Sequence, residues 1–222
     1  MVIRQRAIQA EDKHERYHAI LDAAERLLER APDRMANVAE VADEAGLAKG
    51  TVYLYFPSKE EMLLALHERH IAHFFTELMK KVSERGPLDF DDIFPVTLGH
   101  LIRLPGYLEL TSRCFALMAR EIPQDAALAF KARVAATLQA AGVHLERHFA
   151  MPAGAGATLL IHSYGLIVGL WQLMHPNERF GRAMKRPELK LFDRDYEREI
   201  EDALRALWGG WMGPARRKGK TR

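Results

Sequence analysis

Apolar positions recur every three to four residues along most of this chain, the spacing of helices that bury one face. Ile20, Ala23, Ala24, Leu27 and Leu28 form one such stripe, which predicts a first helix over Lys13–Arg30. Val38, Val41, Ala42 and Ala45 repeat at the same spacing in a much shorter run. Asn37 stands at its start with Glu40 three residues on, a capping-box pattern. Gly46 stands at its end, where a residue tolerant of positive φ is favoured, and Leu47 is expected to plug the corner. Lys49–Phe56 then reads as a second short helix, closed by Pro57. Ser58-Lys59-Glu60-Glu61 is a second capping box and opens a long helix, Lys59 to Arg85. Prolines punctuate the remainder into helical runs near 90–103, 106–120, 124–149, 154–174 and 193–211. The 124–149 run carries the stripe Phe130, Val134, Leu138, Ala141, Leu145 and Phe149. No strand alternation or hairpin signal interrupts these patterns. The expected fold is all-α. It comprises an N-terminal three-helix domain over residues 1–58, a larger helical domain over 59–214 and a basic disordered tail over 215–222.

Two short helices joined by a glycine turn follow the helix-turn-helix plan, whose second helix enters the major groove of DNA. Val52 and Phe56, four apart, are expected to face the first short helix. Lys49, Thr51, Tyr53 and Tyr55 are left facing outward or sideways. Lys can donate to guanine O6 and N7, and the Thr methyl can meet a thymine methyl. Tyr hydroxyls reach phosphates and set register, and Gly50 lets backbone approach DNA closely. Lys59 sits at a helix N-terminus, where free N–H groups and the dipole favour a phosphate. Capping is sufficient reason for Asn37, with a phosphate contact as its second role. The same pattern also describes a helical hairpin with two exposed aromatics.

Composition adds little in either direction. The chain has 222 residues, 48% hydrophobic and 28% charged, which is ordinary for a soluble globular protein. Its formal net charge is +2, and residues 1–60 hold nine Lys/Arg against eleven Asp/Glu. Bulk charge therefore does not argue for nucleic acid; only the placement of Arg4, Arg6, Lys49 and Lys59 could, with Glu25, Glu29 and Glu44 facing away. Residues 1–12 read as a flexible arm able to place Arg4 and Arg6 in a minor groove. They contain no apolar core of the kind a secretory signal needs, so a cytoplasmic location is expected. Cys114, the single cysteine, reads as a buried small hydrophobe.

The stretch 149–176 has no Asp, Glu, Lys or Arg. It is long enough to span a bilayer, but an all-round apolar helix is otherwise buried in a core or an interface. No membrane role is assigned to it. Gly165 and Gly169, four apart, would allow a close helix crossing there. The last helix carries Tyr196, Ile200, Ala203, Leu204, Leu207, Trp208 and Trp211, and its large aromatics ask for a partner surface. His67, His70 and His73 lie at steps of three, and His144 and His148 lie four apart. Both sets read as exposed helix histidines, since no further ligand accompanies either. No metal, cofactor or catalytic residue is assigned, and the chain is not expected to be an enzyme. Two other readings stay open: a helical metal or hydrolytic protein using His144 and His148, and a dimeric interaction protein whose helix-turn-helix no longer binds DNA.

The segment Arg16–Leu64 resembles the DNA-binding domain of the TetR family of transcriptional regulators. The matching residues are Ile20-Leu21, Ala23-Ala24, Val41-Ala42, Ala45-Gly46, Gly50-Thr51-Val52-Tyr53, Tyr55-Phe56, Lys59-Glu60 and Leu63-Leu64. The resemblance implies a ligand-responsive repressor that binds a palindromic double-stranded operator as a homodimer. It implies a four-helix dimer interface from the last two helices, here Gly165, Gly169, Leu204, Trp208 and Trp211. It also implies a pocket for a small hydrophobic or aromatic effector. The segments 93–118 and 159–175 offer His100, Tyr107, Phe115, Met118, His162, Tyr164, Trp171 and Met174 for it. The DNA-facing set is Asn37, Ala48, Lys49, Gly50, Thr51, Tyr53, Tyr55 and Lys59. Ala48 departs from the family, where Ser or Thr often caps the recognition helix and touches a phosphate.

Overall fold

The computed structural model describes residues 2–175 and 185–212, with side chains from residue 12 onward. The basic tail expected over 215–222 lies outside the described residues. Among the described residues nine α-helices run α1 (Val2–Arg30), α2 (Val38–Ala45), α3 (Lys49–Tyr55), α4 (Lys59–Val82), α5 (Phe90–Thr97), α6 (Tyr107–Arg120), α7 (Gln124–Phe149), α8 (Ala155–Met174) and α9 (Tyr196–Met212). No strand occurs among the described residues. The expected flexible arm over 1–12 is instead the start of α1, which begins at Val2. Arg4, Gln5, Arg6, Ala7, Gln9, Ala10 and Glu11 are residues that favour helix, and no Gly or Pro interrupts them. The helix expected over 90–103 is α5 followed by a π-helical turn, Leu98–Ile102, in which Arg103 N–H donates to Leu98 O at 2.8 Å. A 3₁₀ segment, Pro187–Phe192, precedes α9.

The helices form two compact units, Met1–His70 with Pro105–Ala127, and Ile71–Leu104 with the chain from Leu128 on. Contacts therefore do not divide at the 58/59 boundary drawn from sequence, because α6 belongs to the first unit. Its entry is set by Gly106, at φ +69, where a Cβ would lie 2.6 Å from Leu28 Cγ. Tyr107 follows, fully buried, with its ring 5.6 Å from that of His67 and 5.8 Å from that of His70. Thr111 Oγ1 lies 3.4 Å from His67 Nδ1, and Cys114 Sγ donates to Leu63 O at 3.8 Å. His67 and His70 are thus core residues, not the exposed histidines expected from their spacing. Burial, and then the neighbouring His70, push the His67 pKa down to about 3, so the ring is neutral at ordinary pH. The Cys114 thiol is pushed up to about 12 by burial and packs as a small apolar group.

The second unit is held by α8 against α9. Trp208 Nε1 donates to Ser163 Oγ at 2.9 Å, and that hydroxyl donates to Leu159 O at 2.7 Å. Tyr196 Oη donates to Ile167 O at 2.8 Å. Leu204 and Trp208 are 2% and 4% exposed within the subunit. Trp208 secures α9 to α8, and both residues are buried within the subunit, contrary to the interface role expected of them. Arg205 pairs with Asp91 at 2.7 Å and lies 4.6 Å from the centre of the Phe90 ring, tying α9 to α5.

Within the subunit, α7 and α8 cross closely at Gly142 and Gly156. A Cβ on Gly142 would fall 2.9 Å from Ala157 Cα, and one on Gly156 would fall 2.7 Å from the Gly142 carbonyl carbon. Glu146 completes this corner, its Oε1 accepting from Gly154 N–H at 2.8 Å and Gly156 N–H at 3.1 Å. The carboxylate satisfies N–H groups that the start of α8 would otherwise leave open. Nothing lies within 4 Å of a Cβ built on Gly165 or Gly169. By length and composition α8 could cross a membrane. Leu159, Leu160, Ser163, Ile167 and Val168 give it one buried face, as a core helix has.

Candidate nucleic-acid interface

The position of α2 is fixed by charge as well as by packing. Arg26 and Arg30 of α1 both hold the Glu44 carboxylate, Arg26 Nε at 2.8 Å. Arg34 holds Glu40 at 2.7 Å. Of the acids expected to face away, Glu44 is absorbed in this way and Glu25 pairs with Arg69. The recognition-side helix α3 carries no acid of its own. The two arginines hold the Glu44 pKa down at about 2, against an ordinary 4.5. A depressed carboxylate contributes stability above its unfolded pKa and loses it as pH falls through the folded value. Glu44→Gln should therefore lower stability at pH 7, and the gap to the parent protein should close between pH 4.5 and about 2. Urea melts at pH 7, 3 and 2 check this; a gap at pH 3 as wide as that at pH 7 contradicts it.

The turn is built as its residues predict. Asn37 Oδ1 accepts from Ala39 N–H at 2.9 Å and Glu40 N–H at 3.1 Å, while Glu40 Oε2 accepts from Asn37 N–H at 2.8 Å. The Asn37 oxygen is thereby committed to the cap, and its amide donors are what it has for an outside partner. Gly46 adopts φ 66, and Leu47 N–H donates back to Ala42 O at 2.9 Å. Ala48 occupies the N-cap of α3 with no side-chain hydrogen bond.

Val52 of α3 and Phe56 at its C-cap are 0% and 3% exposed, facing the core, with the Tyr17 ring tilted against Phe56 at 4.9 Å between centres. Lys49, Gly50 and Tyr53 are exposed, and Thr51 and Tyr55 are half-buried. Lys49 Nζ lies 5.9 Å from the centre of the Tyr53 ring, so the two side chains share one edge of the helix. Leu54, 80% exposed, completes the outer face. No role was assigned to it from sequence. Its signal was its spacing, two positions from each of the buried residues Val52 and Phe56. Lys59 begins α4, but its Nζ points to Met35 O at 3.4 Å. Ser58 Oγ takes the Glu61 N–H at 3.1 Å. Lys59 is half-buried in this position.

The effector set divides between the two units. Tyr107, Phe115 and Met118 lie on α6 in the first, and His100, His162, Tyr164 and Trp171 lie in the second. Tyr107 is a core residue. His100 stacks edge-on with His73 at 4.9 Å, and Trp171 stacks flat on His175 at 4.9 Å. His162 is exposed. Among the described residues no group of three or more His, Cys, Asp or Glu is placed to hold a metal ion.

Two family models match this chain. The one for bacterial regulatory proteins of the tetR family covers residues 20–66, which includes the whole of α2 and α3. The one for the tetracyclin repressor-like C-terminal domain covers residues 68–215, more than half of the chain. The chain is 47% identical over 73 residues to the HTH-type transcriptional regulator EthR of Mycobacterium tuberculosis, covering 33% of each chain. It is 31% identical over 74 residues to the fatty acid metabolism regulator protein of Bacillus subtilis, 33% of this chain and 38% of that one. These matches span little more than a third of either relative's length. A solved TetR-family structure from Mesorhizobium loti superposes with TM-score 0.56 at 15% identity, covering 90% of this chain and 96% of that one, so the whole fold is shared. The chain belongs to the TetR family of bacterial regulatory proteins.

Proposed function

We propose that this protein is a ligand-responsive transcriptional repressor that binds a palindromic DNA operator as a homodimer. The observation that carries the reading is the two-sided build of α3. Val52 and Phe56 lock one face into the core, and Lys49, Gly50 and Tyr53 stand in solvent on the other. A helix held this way presents base-reading and phosphate-binding groups on a rigid support. The protein acts by binding, not catalysis, in the cytoplasm.

Dimerisation is assigned to the outer face of α8, where Ile161, Gly165 and Leu173 are exposed and Gly169 has open space beside it. Trp211, 37% exposed on α9, is added to it. A small hydrophobic or aromatic effector would act through the second unit, at His100, His162, Tyr164 and Trp171. One relative is named a fatty acid metabolism regulator, so acyl compounds are the first to screen. In this scheme α4, which runs through the division between the units, carries the change to α3. Linkage requires effector and DNA to weaken each other by the same factor.

Lys49→Ala should weaken binding to a selected operator by about 5- to 100-fold and relax preference at one base pair. Lys59→Ala should instead weaken binding evenly and lower the salt slope by about one unit. Titration of both variants against cognate and scrambled DNA separates the roles. Equal, sequence-independent losses would remove Lys49 from base reading.

A further inference from the structure

Leu54 is the most exposed large apolar side chain among the described residues. A helix turns about 100° per residue, so Leu54 points roughly 160° away from both Val52 and Phe56, at the outer pole of α3. Gly50, four residues earlier, shares that pole. A Cβ on Gly50 would meet nothing within 4 Å, so no packing inside the chain accounts for its missing side chain. The pole of the helix is therefore a gap followed by a leucine. Such a surface can press its backbone close to a partner at Gly50 while Leu54 reaches deepest. Leucine has no hydrogen-bonding group and cannot read the polar edges of base pairs. The apolar group on the floor of the major groove is the C5 methyl of thymine.

We propose that Leu54 is a specificity-determining residue that packs on a thymine methyl, so that each operator half-site carries an A·T pair at one fixed position. The inference rests on the DNA-binding reading above. Its test uses an operator selected from random DNA by the full-length protein. Each thymine of a half-site is replaced in turn by deoxyuridine, which removes the methyl and keeps the pairing. The parent protein and Leu54→Ala are then titrated on every duplex. At one position per half-site, the loss of the methyl should weaken the parent about three- to tenfold and leave Leu54→Ala unaffected. On the unmodified operator, Leu54→Ala should be weaker by a similar factor with an unchanged salt slope. A parent that is insensitive at every thymine overturns the inference while DNA binding stands. So does a variant that is still sensitive at the same thymine. Failure to enrich any DNA overturns the DNA-binding reading, and this inference with it.

Discussion

Gly50→Ala is expected to stabilise the protein and to destroy its operator binding. Gly50 lies inside α3 without a positive φ, and a Cβ there has open space. Glycine in a helix costs about 0.5–1 kcal/mol relative to alanine, and nothing within the chain offsets that cost. The substitution should therefore raise Tm by about 1–4 °C for a chain of this size. The same methyl projects from the pole that faces DNA in the proposed complex and would hold the backbone of α3 away from the groove. Several contacts depend on that approach together, so operator affinity should fall by about 10²-fold or more, as when hydrogen bonds worth roughly 1–3 kcal/mol each are lost jointly. Calorimetry and a binding titration on one preparation check both halves. A more stable protein with unchanged affinity would mean that α3 does not lie close against DNA.

The second large effect is one of stability. Gly156→Ala places a methyl against the Gly142 carbonyl, whose carbon would be 2.7 Å away. The obstacle is backbone on a neighbouring helix and cannot rotate aside, so α7 and α8 must separate. Overpacking of this kind costs about 1–3 kcal/mol and occasionally more; with rigid backbone on both sides the upper end is expected. Tm should fall by roughly 6–12 °C, and the Glu146 bonds to Gly154 and Gly156 would be disturbed with it. Gly165→Ala is the control, since a Cβ there meets nothing. It should instead raise monomer stability by about 0.5–1 kcal/mol, as at Gly50. A Gly156→Ala protein that melts with the parent would contradict the tight crossing.

What was legible in the sequence was local. Asn37, Glu40, Gly46 and Pro57 act within a few residues of themselves, so the α2–turn–α3 unit could be read from its caps and its apolar spacing. The boundaries of α7 and α8 followed from stripes and prolines in the same way. What was hidden depends on contacts between distant segments. His67 and His70 have the spacing of exposed helix residues, and only the return of α6, about forty positions later, buries them under Tyr107 and Thr111. Trp208 and Leu204 look like partner-seeking residues until Ser163 is found beneath the indole. Because α8 is apolar nearly all round, its pattern could not say which side met α9. The close approach within the subunit needs glycines on two facing helices, Gly142 and Gly156, and spacing along one helix does not reveal such a pairing. Leu54 was missed because an apolar residue in a helix is ordinarily assigned to the core.

The central claim is that α3 reads DNA as one of a symmetric pair. Selection from random duplex DNA with the full-length protein, followed by footprinting of the enriched site at two salt concentrations, tests it most directly. The account predicts a palindromic site whose half-sites lie about 34 Å apart or a multiple of that, with protection that weakens steeply as salt rises. A failure to enrich any sequence, or enrichment of an isolated half-site, would contradict it.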